Sequence, residues 1–248
     1  ARAISSICGT VDIAETLGVD VECSPGRVVE SISKSGLGLF NGLSPRIHPN
    51  ALRRILSGIN FGSTLNMAAS LANPALPPLG IRGVYSRNMM LPMAKVMKEI
   101  GYKSAIVLHG NIKDSDMGMD EASVCGTTHC LWFSGDREME EFQINPRSLG
   151  VEFQDYRELQ PEGNIREEAR RFVALIGNRE NSARKYAAAL NAGLIFLVSG
   201  QAGTMEQGIE QAARLLENGS AFQTLEKWVG AQNSDPDQGL RQLYSLAN

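Results

Sequence analysis

The sequence predicts an α/β protein with a mostly parallel central sheet flanked by helices. Three observations carry that expectation. Ile81 to Tyr85 and Lys103 to Leu108 are short apolar stretches, and between them Met90, Met93, Val96, Met97 and Ile100 recur at helical spacing over Met89 to Ile100. Strand, helix, strand at this distance is a βαβ unit, whose crossover implies parallel pairing. Glycine is abundant at 25 residues while aromatics make up only 6%, a balance that suits many tight strand–helix turns. The last third of the chain then reads as a run of helices.

The elements follow in order. Val11 to Leu17 is helical and stops at Gly18; Val19 to Val21 is a short extended stretch. Ser24-Pro25 opens a second helix, with Ser24 as the cap and Pro25 at the first helical position, and Gly36 ends it. Leu37 to Leu43 is a short strand or buried turn, Ser44 to Pro49 a rigid loop, and Asn50 to Leu56 a helix carrying Arg53 and Arg54. Three prolines within Ser63 to Pro78 exclude a regular helix or a central strand there. Beyond the βαβ unit, Ala122 to Phe133 and Glu140 to Ile144 read as β structure, with a hairpin around Ser134-Gly135-Asp136. Glu167 to Ile176, Ala183 to Val198, Met205 to Asn218 and Ala221 to Val229 read as helices, and the polar tail from Asn233 as a fraying end. Asn191, a lone amide in an apolar stretch, reads as a satisfied core group.

Composition narrows the function classes. With 43% hydrophobic and 21% charged residues, the 248-residue chain has ordinary globular usage, and disorder is excluded. A formal net charge of −3 argues against a nucleic-acid binder that works through a general positive field. No apolar stretch reaches the ~18 residues that a bilayer span needs, and no signal peptide is visible. Four scattered cysteines (Cys8, Cys23, Cys125, Cys130) do not make a disulfide framework. A reduced, cytoplasmic setting is the expectation. Cys125, His129 and Cys130 have the residue types of a metal cluster, but their spacing fits no CxxC pair, so buried thiols are the reading.

Four clusters carry possible chemistry. Adjacent carboxylates in Gly118-Met119-Asp120-Glu121-Ala122-Ser123 follow an apolar strand and a polar loop, where they suit a hard cation such as Mg²⁺; a capping acidic pair is the plainer alternative. His109 closes the preceding strand, at the end where ligands of open α/β sheets bind; it faces a site or packs beneath the acidic loop. Arg2, Ser5, Ser6 and Thr10 precede a helix, where hydroxyls and backbone N–H groups favour an anion, or simply a cap. His48 with Arg53 and Arg54 is a fourth cluster, suited to clamping a carboxylate or to forming a solvated face.

The clusters occur in the order of a known family. The start, Arg2-Ala3-Ile4-Ser5-Ser6 with Gly9, Thr10 and Asp12, resembles the stretch that follows the Lys-His-Gly-Asn motif of the anthranilate phosphoribosyltransferase family. Gly83-Val84-Tyr85-Ser86, Leu91-Pro92-Met93-Ala94, Val107 to Gly110, and the Asp120-Glu121 segment are also similar to it, as is Gly219-Ser220-Ala221. The resemblance implies transfer of phosphoribose from phosphoribosyl pyrophosphate to the amine of anthranilate, a step of tryptophan biosynthesis. It assigns Mg²⁺ to Asp120 and Glu121, phosphoribosyl pyrophosphate to Arg2, Ser5, Ser6 and Thr10, and the aromatic acid to His48 with Arg53 or Arg54. It also implies remnants of a smaller all-helical domain: 1–47 would begin the α/β domain, 48–62 belong to the small domain, and 63–248 form the large α/β domain. The family's glycine-rich pyrophosphate loop and most of its helical domain would lie upstream of Ala1. A homodimer is a further implication, with no nucleic-acid or membrane partner.

Two departures bear on the acceptor. The family's Gly-Pro-Leu-x-Asn-Pro hinge reads Ala69-Ser70-Leu71-Ala72-Asn73-Pro74, and its usual substrate arginine falls on Leu56. A same-fold transferase with a different aromatic or amine acceptor is therefore the first alternative. A non-catalytic member that binds nucleic acid or a protein partner is the second.

Overall fold

The computed structural model describes residues 9–47, 49, 54–55, 68, 70–161 and 163–247. The chain divides into two compact units: Ala1–Ala75 with Pro161–Glu180 and Leu216–Asn248, and Leu76–Gln160 with Asn181–Leu215.

The first unit is helical among its described residues. Helix α1 (Thr10–Thr16) is short and turns its apolar side inward through Val11 and Ala14. Helix α2 (Pro25–Ser35) begins as the sequence predicts: the Ser24 hydroxyl accepts from Arg27 N–H at 3.3 Å, and Pro25 needs no partner for the N–H it lacks. It ends at Gly36, whose φ of 77° is left-handed and whose N–H reaches Ile32 C=O at 2.9 Å. After the sheet unit the chain returns with α4 (Ile165–Ile176), which opens on a reciprocal cap: Asn164 accepts from Glu167 N–H at 3.1 Å, and the Glu167 carboxylate accepts from Asn164 N–H at 3.1 Å. Helices α7 (Ser220–Ala231) and α8 (Pro236–Ala247) complete the unit. Their inward stripes meet those of α1 and α4 in one core that includes Val11, Leu17, Val173, Val229 and Leu243.

Three expectations in this unit are corrected. The tail from Asn233 does not fray. Asp235 accepts from Gln238 N–H at 3.0 Å, Pro236 takes the first helical position, and Leu243 and Leu246 are buried. Val19 to Val21 forms no strand: Val19 and Asp20 lie outside regular structure, and a turn begins at Val21. Leu37 to Leu43 is neither a strand nor a buried turn: 37–41 is irregular, Leu37 is exposed, only 42–43 turn, and a side chain supplies the ladder partner that Leu39 lacks. Gln232, fully buried, accepts from Leu39 N–H at 2.8 Å and donates to Leu39 C=O at 2.9 Å.

The second unit is a five-stranded sheet with helices. Strand β1 (Leu79–Gly83) leads through a 3₁₀ turn into α3 (Met90–Glu99), and β2 (Ser104–Asn111) returns parallel to β1, with Ile81 opposite Ile106. Strand β3 (Gly118–Met119) folds back on the end of β2, while β4 (Thr128–Ser134) and β5 (Glu140–Ile144) give the order β1-β2-β4-β5. The α/β class stands. Among the described residues, however, the sheet is mixed: β1–β2 is parallel, whereas β2–β3, β2–β4 and β4–β5 are antiparallel. Only the α3 connection is a helical crossover; β2–β3 and β4–β5 are joined by short reversals, which enforce antiparallel pairing. The expected strand from Ala122 begins only at Thr128, because the preceding residues form a tight turn.

Helix α5 (Ala183–Val198) covers one sheet face. Leu190 and Leu194 join Ile106, Leu108, Cys125 and Cys130 in a second core, with Met205 and Ile209 of α6 (Met205–Glu217) packed against it. Cys125 and Cys130 are core thiols. Burial pushes their pKa values up to about 11 and about 12, so both stay protonated. Strand alternation separates Cys130 from His129, which faces the other way and meets Asn111 at 3.3 Å. No helix among the described residues is long and apolar enough to cross a membrane.

Candidate active site

The acidic pair lies where the carboxyl ends of β1 and β2 meet. Strand β3 reverses onto β2, pairing Gly110 with Met119, and delivers Asp120 and Glu121 directly to the end of β1. The backbone packs there too closely for any side chain to intervene. A Cβ on Gly83 would stand 1.4 Å from the Asp120 carbonyl oxygen, and one on Gly110 would stand 2.5 Å from that of Glu121. Glycine at both positions is thus a requirement of space. On the far side the turn is tied by side chains. Ser123 N–H donates to the Thr128 hydroxyl at 2.8 Å, and the Ser123 hydroxyl donates to Asn111 C=O at 2.7 Å. Asn191 of α5 bonds both backbone groups of Ala122.

Both carboxylates are exposed by area. Desolvation nevertheless pushes the Glu121 pKa above the usual carboxylate range, and the neighbouring Asp120 charge adds to the rise. Arg82, on β1, brings a positive charge. Burial lowers its pKa, Asp120 opposes that shift, and its Nε is buried without a hydrogen-bond partner.

His109 combines its two readings: it lines a cavity with Asn111, Lys113 and Met117 while packing beneath the acidic loop. It is 9% exposed, its Nδ1 donating to Val84 C=O at 2.8 Å and its other ring edge lying against Gly118. Asn191, read from the sequence as a satisfied core amide, is satisfied; what it satisfies is the acidic turn. Gly83 and Gly110 enter the sequence reading only as parts of segments that resemble the family, with no role assigned, and Arg82 carries no site signal. The two glycines act through the space they leave empty, which has no chemical signature there.

Of the other predicted site residues, Thr10 and Arg54 are described. Thr10 is exposed at the first position of α1, in the helical unit, where Asp12 accepts from Gly9 N–H at 2.9 Å. Arg54 is exposed in a short helical stretch. Arg2, Ser5, Ser6, His48 and Arg53 lie outside the described residues.

The donor set discriminates between metals. No group of three or more His, Cys, Asp or Glu side chains converges on one point among the described residues. Zinc closes its shell with three or four protein ligands, whereas Mg²⁺ takes one or two carboxylates and completes its shell with water and substrate phosphates. Asp120 and Glu121 fit the second pattern.

The sequence profile of the glycosyl transferase family, a/b domain, matches residues 1–222. The chain belongs to that family. Among curated proteins it is similar to the anthranilate phosphoribosyltransferase of Bacillus mycoides (strain KBAB4), with 32% identity over 235 residues covering 94% of this chain and 66% of the relative. Among solved structures it is similar to anthranilate phosphoribosyltransferase from Thermus thermophilus, with a TM-score of 0.77 and 28% identity over 93% of this chain and 66% of that one. The Saccharomyces cerevisiae enzyme in complex with PRPP and Mg shares the fold, with a TM-score of 0.73 and 20% identity over 89% of this chain and 61% of that one. The chain thus spans 66% of the length of the curated relative.

Proposed function

We propose that this chain contributes the metal- and phosphate-handling part of a phosphoribosyltransferase that moves phosphoribose from phosphoribosyl pyrophosphate to the amine of anthranilate. The observation that carries the reading is the Asp120–Glu121 pair, fixed at the carboxyl ends of β1 and β2 by backbone packing on Gly83 and Gly110. The names of the relatives support the reaction class, and the titles of the yeast structures support Mg²⁺ and phosphoribosyl pyrophosphate as the species handled.

In the reaction, the bond between the ribose anomeric carbon and pyrophosphate breaks. The acceptor amine forms the new bond there and gives up a proton, and pyrophosphate leaves with the bonding electron pair. Bound Mg²⁺ supplies neutralising charge on the pyrophosphate oxygens. Asp120 and Glu121 hold that charge at one end of the sheet, which aligns the leaving group before the carbon–oxygen bond stretches. Arg2, Ser5, Ser6 and Thr10 would bind the phosphoribosyl pyrophosphate, and His48 with Arg53 or Arg54 would face the acceptor. A second reading, an acceptor other than anthranilate, has two departures in its support: Ala69-Ser70 stands where the family has Gly-Pro, and Leu56 where it has its arginine. A cytoplasmic homodimer is the assembly and setting proposed.

Calorimetric titration with phosphoribosyl pyrophosphate, with and without Mg²⁺, tests the reading. The chain is expected to bind in a metal-dependent manner, and the Asp120→Asn/Glu121→Gln double variant to lose that binding while keeping its fold. Silence from the wild-type chain and from a chain extended upstream would sink the phosphoribosyltransferase reading. An acceptor screen on the extended chain then separates anthranilate from other amines.

A further inference from the structure

The side chain of Asn191 does more than satisfy itself. Its Oδ1 accepts from Ala122 N–H at 2.9 Å, and its Nδ2 donates to Ala122 C=O at 3.0 Å and to Ala187 C=O at 2.9 Å. One acceptor and two donors are all used on backbone groups of fixed polarity, so the amide has a single orientation. Turning it over would set its NH₂ against an N–H and its oxygen against two carbonyls. The Ala187 bond, one turn back on α5, locks the rotamer. Ala122 is 1% exposed and belongs to no strand, so Asn191 takes the place of a ladder neighbour for it.

The position of this clamp is what gives it meaning. Four consecutive residues are each held by a different element: Asp120 by Gly83 of β1, Glu121 by Gly110 of β2, Ala122 by Asn191 of α5, and Ser123 by Thr128 of β4. The first two holds are steric and stop the chain from moving inward. The clamp at Ala122 is directional. It fixes the peptide plane that follows Glu121, and therefore the line along which the Glu121 side chain leaves the backbone.

We propose that Asn191 is a positioning residue for the cation site: its amide sets the aim of the Asp120–Glu121 pair toward a divalent cation chelated by a diphosphate. The proposal rests on the reading of Asp120 and Glu121 as the metal pair. Asn191 touches neither metal nor substrate; it acts through Ala122.

Three variants test it, with Mn²⁺ as the probe in the presence of phosphoribosyl pyrophosphate, read by calorimetry and by the Mn²⁺ paramagnetic resonance signal. Asn191→Leu keeps the branched outline of the side chain and removes all three hydrogen bonds. Asn191→Ser removes the clamp with a smaller, polar side chain and guards against failure to fold. Leu194→Ala, fully buried one turn further along α5, removes packing from the same core while leaving all three Asn191 hydrogen bonds in place. At a temperature where all are folded, both Asn191 variants are expected to weaken Mn²⁺ binding tenfold or more, and Leu194→Ala to stay within twofold of wild type. Amide hydrogen exchange at Ala122 should accelerate in the Asn191 variants alone.

A purely structural Asn191 predicts the opposite pattern: a lower melting temperature, as in Leu194→Ala, with Mn²⁺ affinity within twofold of wild type. That result overturns the proposal. Absence of Mn²⁺ uptake with phosphoribosyl pyrophosphate, in this chain and in one extended upstream, overturns the metal reading and this proposal with it. A wild type that binds, beside Asn191 variants that bind equally well, overturns this proposal alone.

Discussion

The helical unit and the sheet unit solve the same problem in different ways. Each has stretches of backbone outside regular structure that must be held. In the helical unit, side chains reach in to hold them: Gln232 binds both sides of Leu39, and Asn233 donates to Gly18 C=O. In the sheet unit the acidic turn combines close backbone approaches at Gly83 and Gly110 with side-chain ties from Asn191 and Thr128, a mixture in which backbone contact reaches the site itself; in the helical unit the backbone approach of Gly18 to Gly239 involves no candidate site residue. A side-chain tie tolerates adjustment, because side chains can repack. A close backbone approach does not. The candidate chemistry sits on the rigid device, as expected where two like charges must be kept side by side for a ligand that arrives later.

A pair of glycines sharpens that contrast. Gly83→Ala should have the largest effect. Its Cβ would fall 1.4 Å from a carbonyl oxygen, a clash with backbone that cannot rotate away. A loss of about 3 kcal/mol, the upper end for overpacking, is expected in urea unfolding, together with loss of metal-dependent binding. A variant as stable as wild type would refute the close approach. Gly36→Ala should cost less. Gly36 has a φ of 77° but nothing within 4 Å of a built Cβ, so only the left-handed backbone is penalised, by about 1 kcal/mol. Its metal-dependent binding should be unchanged; a tenfold loss would show that the two units do not divide the work as described.

The smallest expected effect is a pH dependence in the sheet unit. The Glu121 pKa is raised above its ordinary 4.5, so over the interval just above that value the folded chain holds a proton that the unfolded chain has released. Stability from this group is full below the interval and falls as pH rises through it. Glu121→Gln has no proton to lose. Without metal, its melting temperature relative to wild type should therefore rise as pH climbs past the ordinary carboxylate range. A flat difference would show that Glu121 is not crowded by Asp120 and its surroundings.

Much of this was legible in the sequence, and the exceptions have physical causes. Helix α2 was readable at both ends because Ser24-Pro25 and Gly36 act locally. The βαβ unit was readable because Met90, Met93 and Met97 mark one buried face. Helix α8 was missed although its start signal, Asp235-Pro236, was present; Asn233, Gln238 and Gly239 hid a stripe of Leu240, Leu243 and Leu246. The mixed pairing of the sheet was missed because polarity is set by which connection is a crossover, and β2 to β4 lacks one. In the candidate site, Asp120 and Glu121 were readable as chemistry. What fixes them was not, because Gly83 and Gly110 act by absence and Asn191 lies 69 residues from its partner.

The chain has two tryptophans, and they fall one in each unit. Trp228 donates its indole N–H to Gln232 at 3.0 Å in the helical unit, and Trp132 donates to the Ser104 hydroxyl at 2.9 Å in the sheet unit. Both rings are half-buried. The molecule therefore carries its own pair of fluorophores. Replacing either with phenylalanine leaves a single emitter whose red shift on denaturation reports one unit alone, so the melting of the scaffold and of the acidic turn can be followed separately without any added label.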